Sequence, residues 1–202
     1  MVEPTDVTDT LDELEESATD GRTRQWVAIF ISSLAVILAI TSMGGGNATK
    51  DMMNANIVVN DTYAFYQAKN IRQNEVRLAA DQLKALKGST NWLPSETSRW
   101  IDERVKAYAA TAEKYESDPK SGEGKVELLA RARQYEAIRD HAAAQDPFFD
   151  YAEALIQIAI VLASASLVGG RRWVLYLAYI FAGIGVLLTI NAFTLLVALP
   201  GS

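Results

Sequence analysis

The sequence predicts an all-α integral membrane protein, with three transmembrane helices plus an extramembrane antiparallel helical, coiled-coil-like domain. Three observations carry that prediction. Residues 154–202 hold only two charges, the adjacent Arg171 and Arg172, with a long uncharged run on either side. A further uncharged stretch covers residues 25–49. Residues 44–150 are polar overall, yet they repeat apolar side chains at helical spacing and show no strand alternation of comparable strength.

Residues 1–24 form an acidic tail. Eight acids against two arginines give this stretch −6, equal to the formal net charge of the whole chain. Val7, Leu11, Leu14 and Ala18 make one apolar stripe on a short acidic helix. Such a helix suits docking on a basic partner. The alternative is a solvated tail held off an anionic leaflet by like charge.

Residues 25–43 are the first span. A bilayer core of about 30 Å needs roughly 20 apolar residues as helix, and residues 26–43 supply them. Cleavage as a signal peptide is the competing reading. The acidic flank before the span and the Thr41-Ser42-Met43 sequence after it fit that pattern poorly.

Residues 44–150 form the extracytoplasmic helical domain. Gly44, Gly45 and Gly46 are expected to end the first span and turn the chain. Residues 50–87 lack Gly and Pro, and Ile57, Ala64, Ile71, Leu78 and Ala85 recur every seventh position, the pattern of a helix seam. Asn60, Gln67, Asn74 and Asp81 form a parallel polar stripe, read either as a register-setting seam or as a wet face. Residues 88–94 break the helix. Ser95 is the expected N-cap of a second helix, whose seam is Ile101, Val105, Tyr108, Ala112 and Tyr115. Asp118-Pro119 and residues 121–124 form a loop. A third helix over about 125–145 carries Leu128, Ala132, Tyr135, Ile138 and Ala142, and Pro147 is expected to kink or break it. Seams this narrow bury little apolar area, so the domain is expected to gain stability from a second copy or another protein.

Residues 151–170 and 173–199 are the second and third spans, joined by a basic turn at 171–172. Basic flanks mark the cytoplasmic side. Arg22 and Arg24 precede the first span, and Arg171 and Arg172 join the other two. Three crossings bring both pairs to one side, so the N-terminus is cytoplasmic, and residues 44–150 and the C-terminus are external. Trp26 and Trp173 are expected as interface anchors on the basic side, with Phe148, Phe149 and Tyr151 on the other. Gln157, Thr189, Asn191 and Thr194 are candidate intramembrane polar contacts. The pairs Ala159/Ala163, Ala165/Gly169 and Ala178/Ala182 allow close helix approach. Glu153 is expected at the outer rim.

Asn60-Asp61-Thr62-Tyr63-Ala64-Phe65-Tyr66-Gln67-Ala68-Lys69-Asn70-Ile71-Arg72 resembles the signature of an uncharacterised bacterial inner-membrane protein family, catalogued as a domain of unknown function. Tyr66 to Lys69 is the most specific part, and the similarity extends from about Arg22 to the C-terminus. The resemblance implies one N-terminal span, a helical middle and a C-terminal span pair in a bacterial cytoplasmic membrane. It implies no activity.

The composition argues against most chemistry. With no cysteine, disulfides, thiolate catalysis and Cys-ligated metals are excluded. His141 is the only histidine, and position 138 is Ile where a Glu-x-x-His di-metal motif needs Glu. Glu113/Glu116 and Glu123/Glu127 are paired carboxylates, but neighbouring lysines and arginines suit solvated ion-pair faces. Nucleophile-elbow, phosphate-loop, dinucleotide and zinc motifs are missing, as is a basic face for nucleic acid. No cofactor is expected. The sequence therefore points to a non-catalytic membrane scaffold or accessory subunit in contact with the bilayer, acting by self-association or with another membrane protein. The alternative is a homo-oligomeric transport or channel protein lined by Gln157, Asn191 and Glu153.

Overall fold

The computed structural model describes the backbone of residues 4–90 and 92–197 and the side chains of residues 21–90 and 92–197. The side chains of the apolar stripe Val7, Leu11, Leu14 and Ala18, and the end of the expected third span at residues 198–199, lie outside what the structure describes. Among the described residues there are four helices and no strand: α1 (Pro4–Ser89), α2 (Ser95–Glu116), α3 (Lys125–Gly169) and α4 (Arg172–Thr194). They form two compact units, one from Met1–Lys50 with Ala142–Ser202 and the other from Asp51–His141. Three helices are long and apolar enough to cross a membrane.

The first unit is the apolar one. Val27 packs with Ala163 and Ala178, Leu34 with Ile156, Ala159 and Ala182, and Ala48 with Phe148, Phe149 and Ala192. Numbers rise together on α1 and α4 and fall on α3, so the three segments alternate in direction. Val27, Leu34, Thr41 and Ala48 recur every seven residues, the spacing of a seam that keeps facing its neighbours. Only 22% of each apolar window is buried inside the unit, and Ile29, Val36, Val161, Ile180 and Leu187 point outward and exposed. Helices that are apolar on all faces suit burial in a larger core or in lipid. The α4 helix has 23 residues, or about 35 Å at ~1.5 Å per residue.

Several expectations for this unit are corrected. Gly44–Gly46 do not turn the chain: α1 runs through them. A Cβ at Gly44 would lie 2.5 Å from the Phe149 ring and 2.9 Å from that of Phe193. The glycine therefore serves close approach. The Phe149 and Phe193 rings occupy the space this leaves, and Phe148 and Phe149 are buried, so these two are core residues and not interface anchors. Pro147 does not break α3, which passes through it as helix. The basic turn is Gly170–Arg171, not 171–172. Gly170 takes φ +61° and its N–H bonds Ser166 O at 3.0 Å, while Arg172 opens α4. The last helix stops at Thr194, short of residue 199, because Leu195 turns left-handed at φ 47°. Ala165 and Gly169 are exposed and do not pack, whereas Ala159, Ala163, Ala178 and Ala182 do.

The second unit is a three-helix assembly. Lys87 of α1 meets Asp102 of α2, and Gln73 meets Glu116, so numbers run oppositely on these two helices. Tyr63 meets Glu136 of α3 and Asn70 meets Lys125, again in opposite directions. The row that α1 buries is not the predicted one. Ala55, Val59, Thr62, Gln73 and Ala80 are buried, with Tyr66, Lys69, Val76 and Leu83 partly buried at the same helical spacing. Ile57, Ile71 and Leu78 are 57, 58 and 60% exposed, and Ala64 is exposed too. The physical reason is polar satisfaction. Lys69, Asn70 and Gln73 find partners on α2, on the loop after it and at the start of α3, and Ala55 and Ala80 are small buried members of the same face. The expected seam of α2 does face inward: Ile101 is buried, and Val105 and Tyr108 are partly buried. Ser95 is the first helical residue and not the cap; Pro94 occupies the cap position, and its carbonyl accepts from Ser98 N–H at 3.0 Å.

Candidate functional site

The most developed polar constellation sits where α1, the end of α2 and the start of α3 meet in the second unit. Gln73, fully buried on α1, donates through Nε2 to the Ala112 carbonyl at 2.8 Å and to Glu116 at 2.7 Å. Lys125, nearly buried in the first turn of α3, donates to Asn70 Oδ1 at 3.2 Å and pairs with Glu116 at 3.1 Å. Its ammonium also lies 5.8 Å from the Tyr66 ring centre. Lys69 pairs with Glu123 at 3.3 Å and lies over the Tyr115 ring at 5.5 Å. Arg77 approaches Glu116 from outside at 3.9 Å.

Local sequence explains how the loop holds this junction. Gly122 takes φ +70°. A Cβ at Gly124 would collide with the Glu127 carboxylate and with the backbone of Ser117 and Asp118. Glu127 then accepts from Ser117 Oγ at 2.6 Å and from the Asp118 N–H at 3.1 Å, pinning the loop to the first turn of α3.

The electrostatics follow from these contacts. The amide of Gln73 and then the ammonium of Lys125 hold the Glu116 carboxyl below its ordinary range. Hydrogen bonds from Ser117 and Ser121 hold Glu127 and Asp118 below theirs. Tyr63 is pushed up because its hydroxyl donates to the Glu136 carboxylate. The Gln73 Oε1 is buried without a partner among the described residues. Buried polar networks of this kind fix register, since any slip of α1 would strand Gln73 and Lys125. The hydroxyls that meet carboxylates here, Ser117 on Glu127 and Tyr63 on Glu136, tie the loop and α1 to α3.

The junction draws heavily on the stretch from Asn60 to Arg72, which supplies Tyr63, Tyr66, Lys69 and Asn70. Gln73 follows directly after it. Sequence reasoning missed Gln73. Its signal was its place in the row Val59, Thr62, Tyr66, Lys69 and Gln73, which shares the seven-residue period of the more apolar row beside it. The polar stripe of Asn60, Gln67, Asn74 and Asp81 is exposed, which matches the wet-face reading. His141 is exposed, and among the described residues no group of three or more His, Asp or Glu is placed to hold a metal.

The structure disperses the four intramembrane candidates. Thr189 alone reaches another helix, with its hydroxyl 2.9 Å from that of Thr41, a partner the sequence did not indicate. Gln157 is exposed and donates to Glu153 on its own helix. Asn191 bonds both N–H and C=O of Val197, closing the end of α4. Thr194 bonds back to Ile190 O. Of the basic residues, Arg24, Arg171 and Arg172 share one cleft in the apolar unit, which Arg22 does not line.

Fold and site together define an all-helical protein with three helices long and apolar enough to cross a membrane and a buried polar junction among α1, α2 and α3. Residues 23–195 match the family described as a domain of unknown function (DUF4337), and the chain belongs to that family. No curated protein and no solved structure matches the chain.

Proposed function

We propose that this protein is a non-catalytic, three-span scaffold of the bacterial cytoplasmic membrane, and that it works through helix–helix assembly outside the bilayer. In this reading Arg22, Arg24, Arg171 and Arg172 lie on the cytoplasmic side, and the helical unit lies outside. The observation that carries it is the exposed apolar row of Ile57, Ala64, Ile71 and Leu78 on α1. These residues repeat every seventh position along about 32 Å of helix. The polar junction already holds α1 to its own α2 and α3 by the adjacent row. The aliphatic row is therefore left over on a surface where water would otherwise meet it. Such rows mark interaction sites, and a seven-residue repeat suits a partner helix as in a coiled coil.

The test is mild extraction from native membranes with cross-linking through a photoreactive residue at position 71 or 78. Recovery of a second copy, or of one stoichiometric foreign protein, supports the reading, and Leu78→Glu should abolish that recovery. A monomer at sub-micromolar concentration in nanodiscs, with full helicity and no partner cross-linked, would overturn it.

A further inference from the structure

Arg24 of α1, the Gly170–Arg171 turn and Arg172 of α4 surround a cleft of about 150 Å³ at one end of the apolar unit. Its lining is divided by chemistry: Arg24, Arg171 and Arg172 make the polar side, and Val27, Leu167 and Leu175 the apolar side. Neither Arg171 nor Arg172 is paired with a carboxylate among the described residues. The first turn of α4 has no side-chain cap, since the residue at its N-cap is Arg171 itself. Its positive end therefore adds to the field of the arginines. Trp26 and Trp173, beside the cleft in sequence, are exposed, as aromatic residues at a membrane surface are.

We propose that this cleft binds the phosphate of an anionic phospholipid, with the start of an acyl chain lying along Leu167, Val168 and Leu175. Guanidinium groups match phosphate oxygens as two-pronged donors. Free phosphate would satisfy the arginines equally, but it would leave the apolar side wet. An amphiphile satisfies both sides. Basic pockets between spanning helices on the cytoplasmic side recognise lipid headgroups in the same way. The proposal rests on the membrane reading given above. It makes the arginine pair a lipid site as well as a marker of orientation.

The experiment uses the full chain, delipidated in mild detergent and exposed to phosphatidylglycerol or phosphatidylcholine, with bound lipid counted by native mass spectrometry. Phosphatidylglycerol should be retained preferentially. Arg172→Gln should weaken retention about fivefold, and the Arg171→Gln, Arg172→Gln double variant about 25-fold, at roughly one arginine's worth of lipid attraction each. Arg22→Gln, which removes the same charge outside the cleft, should leave retention unchanged. Leu167→Trp, which fills the apolar side and keeps every charge, should also weaken it. Equal retention by the Arg22 and Arg172 variants overturns the proposal. Displacement by millimolar inorganic phosphate assigns the cleft to free phosphate and overturns the lipid source. Binding that appears only after residues 1–20 are removed gives the cleft to the acidic tail, with the same consequence. The membrane reading is checked separately. The chain has no cysteine, so one introduced as Thr5→Cys and, separately, one as Ser95→Cys report by their labelling in sealed vesicles whether the two sites of each variant lie on opposite sides of the bilayer.

Discussion

Gly44→Ala should destabilise the apolar unit, while Gly46→Ala, two residues along the same helix, should not. Both positions lie inside α1. Each substitution therefore gains about the same helix propensity, about 1 kcal/mol. A methyl at Gly44 would stand 2.5 and 2.8 Å from two carbons of the Phe149 ring and 2.9 Å from the Phe193 ring, whereas at Gly46 nothing lies within 4 Å. Phe149 cannot simply swing aside. It is 3% exposed and packs edge-on against Phe193 with ring centres 4.9 Å apart. Overpacking a dense core costs about 1–3 kcal/mol. Propensity cancels between the two variants, so Gly44→Ala should be less stable than Gly46→Ala by that overpacking cost alone. Unfolding by rising SDS in mixed micelles, followed by far-ultraviolet circular dichroism, measures the difference. Phe149→Leu should relieve part of the penalty, with a coupling of about 0.5–3 kcal/mol in a double-mutant cycle. Equal stability of the two glycine variants, or no coupling to Phe149, would refute the close-approach explanation of the glycine run.

Thr41 and Thr189 share their contact with bonds to the carbonyls of Ile37 and Gly185. Two hydroxyl hydrogens cannot serve all three bonds at once. A Thr41→Val, Thr189→Val cycle in the same SDS assay should therefore give a coupling of only about 0.6 kcal/mol, and a value above about 2 kcal/mol would contradict the shared arrangement. In the second unit, Glu116→Ala should cost about 1–3 kcal/mol by leaving Lys125 unpaired in a nearly buried site, with Lys125→Met restoring part of the loss. Hydrogen exchange across residues 51–141 reads this, and no loss of protection would remove the junction from the stability argument. Glu116, Asp118 and Glu127 have folded values below their ordinary 4.5, 3.8 and 4.5. Their stabilisation is complete above those ordinary values and is lost as pH falls through the lower folded ones. Protection over the same residues should hold from pH 7 to 5 and decline below about pH 4; a flat profile to pH 3 would contradict it.

Much of the fold was legible in the sequence because apolar runs and helix breaks are local signals. The helices are interrupted between Ser89 and Ser95 and between Glu116 and Lys125, at or beside clusters of Gly, Pro and Ser; α1 runs through Gly88 and Ser89, two residues into the expected break. The two basic flanks fall at one end of the apolar unit, as their positions around uncharged runs required. Legibility failed where a residue answers to a neighbour distant in sequence. Gly44 and Pro147 look like breakers taken alone, yet α1 and α3 pass through both as helix. At Gly44 the missing side chain makes room for rings from α3 and α4. The polar junction was half visible: Tyr66 and Lys69 stood out in the signature stretch, while Gln73 lies just past that stretch and outside the predicted seam.

By itself, the sequence determined that this chain is helical, that three of its stretches are long and apolar enough to cross a membrane, and that Arg24, Arg171 and Arg172 flank those stretches. These properties follow from composition and period, which each segment carries on its own. Only the tertiary structure decided which face each helix turns inward. Two rows on α1 share a seven-residue period, and the more apolar one looked like the seam. The row that packs is the one whose lysine and amides meet partners on α2, on α3 and on the loop between them. Polar groups can be buried in that row because those partners meet them, and the aliphatic row is left on the surface. The seam read from the sequence thus lies on the outside of the unit, where it is open to a partner.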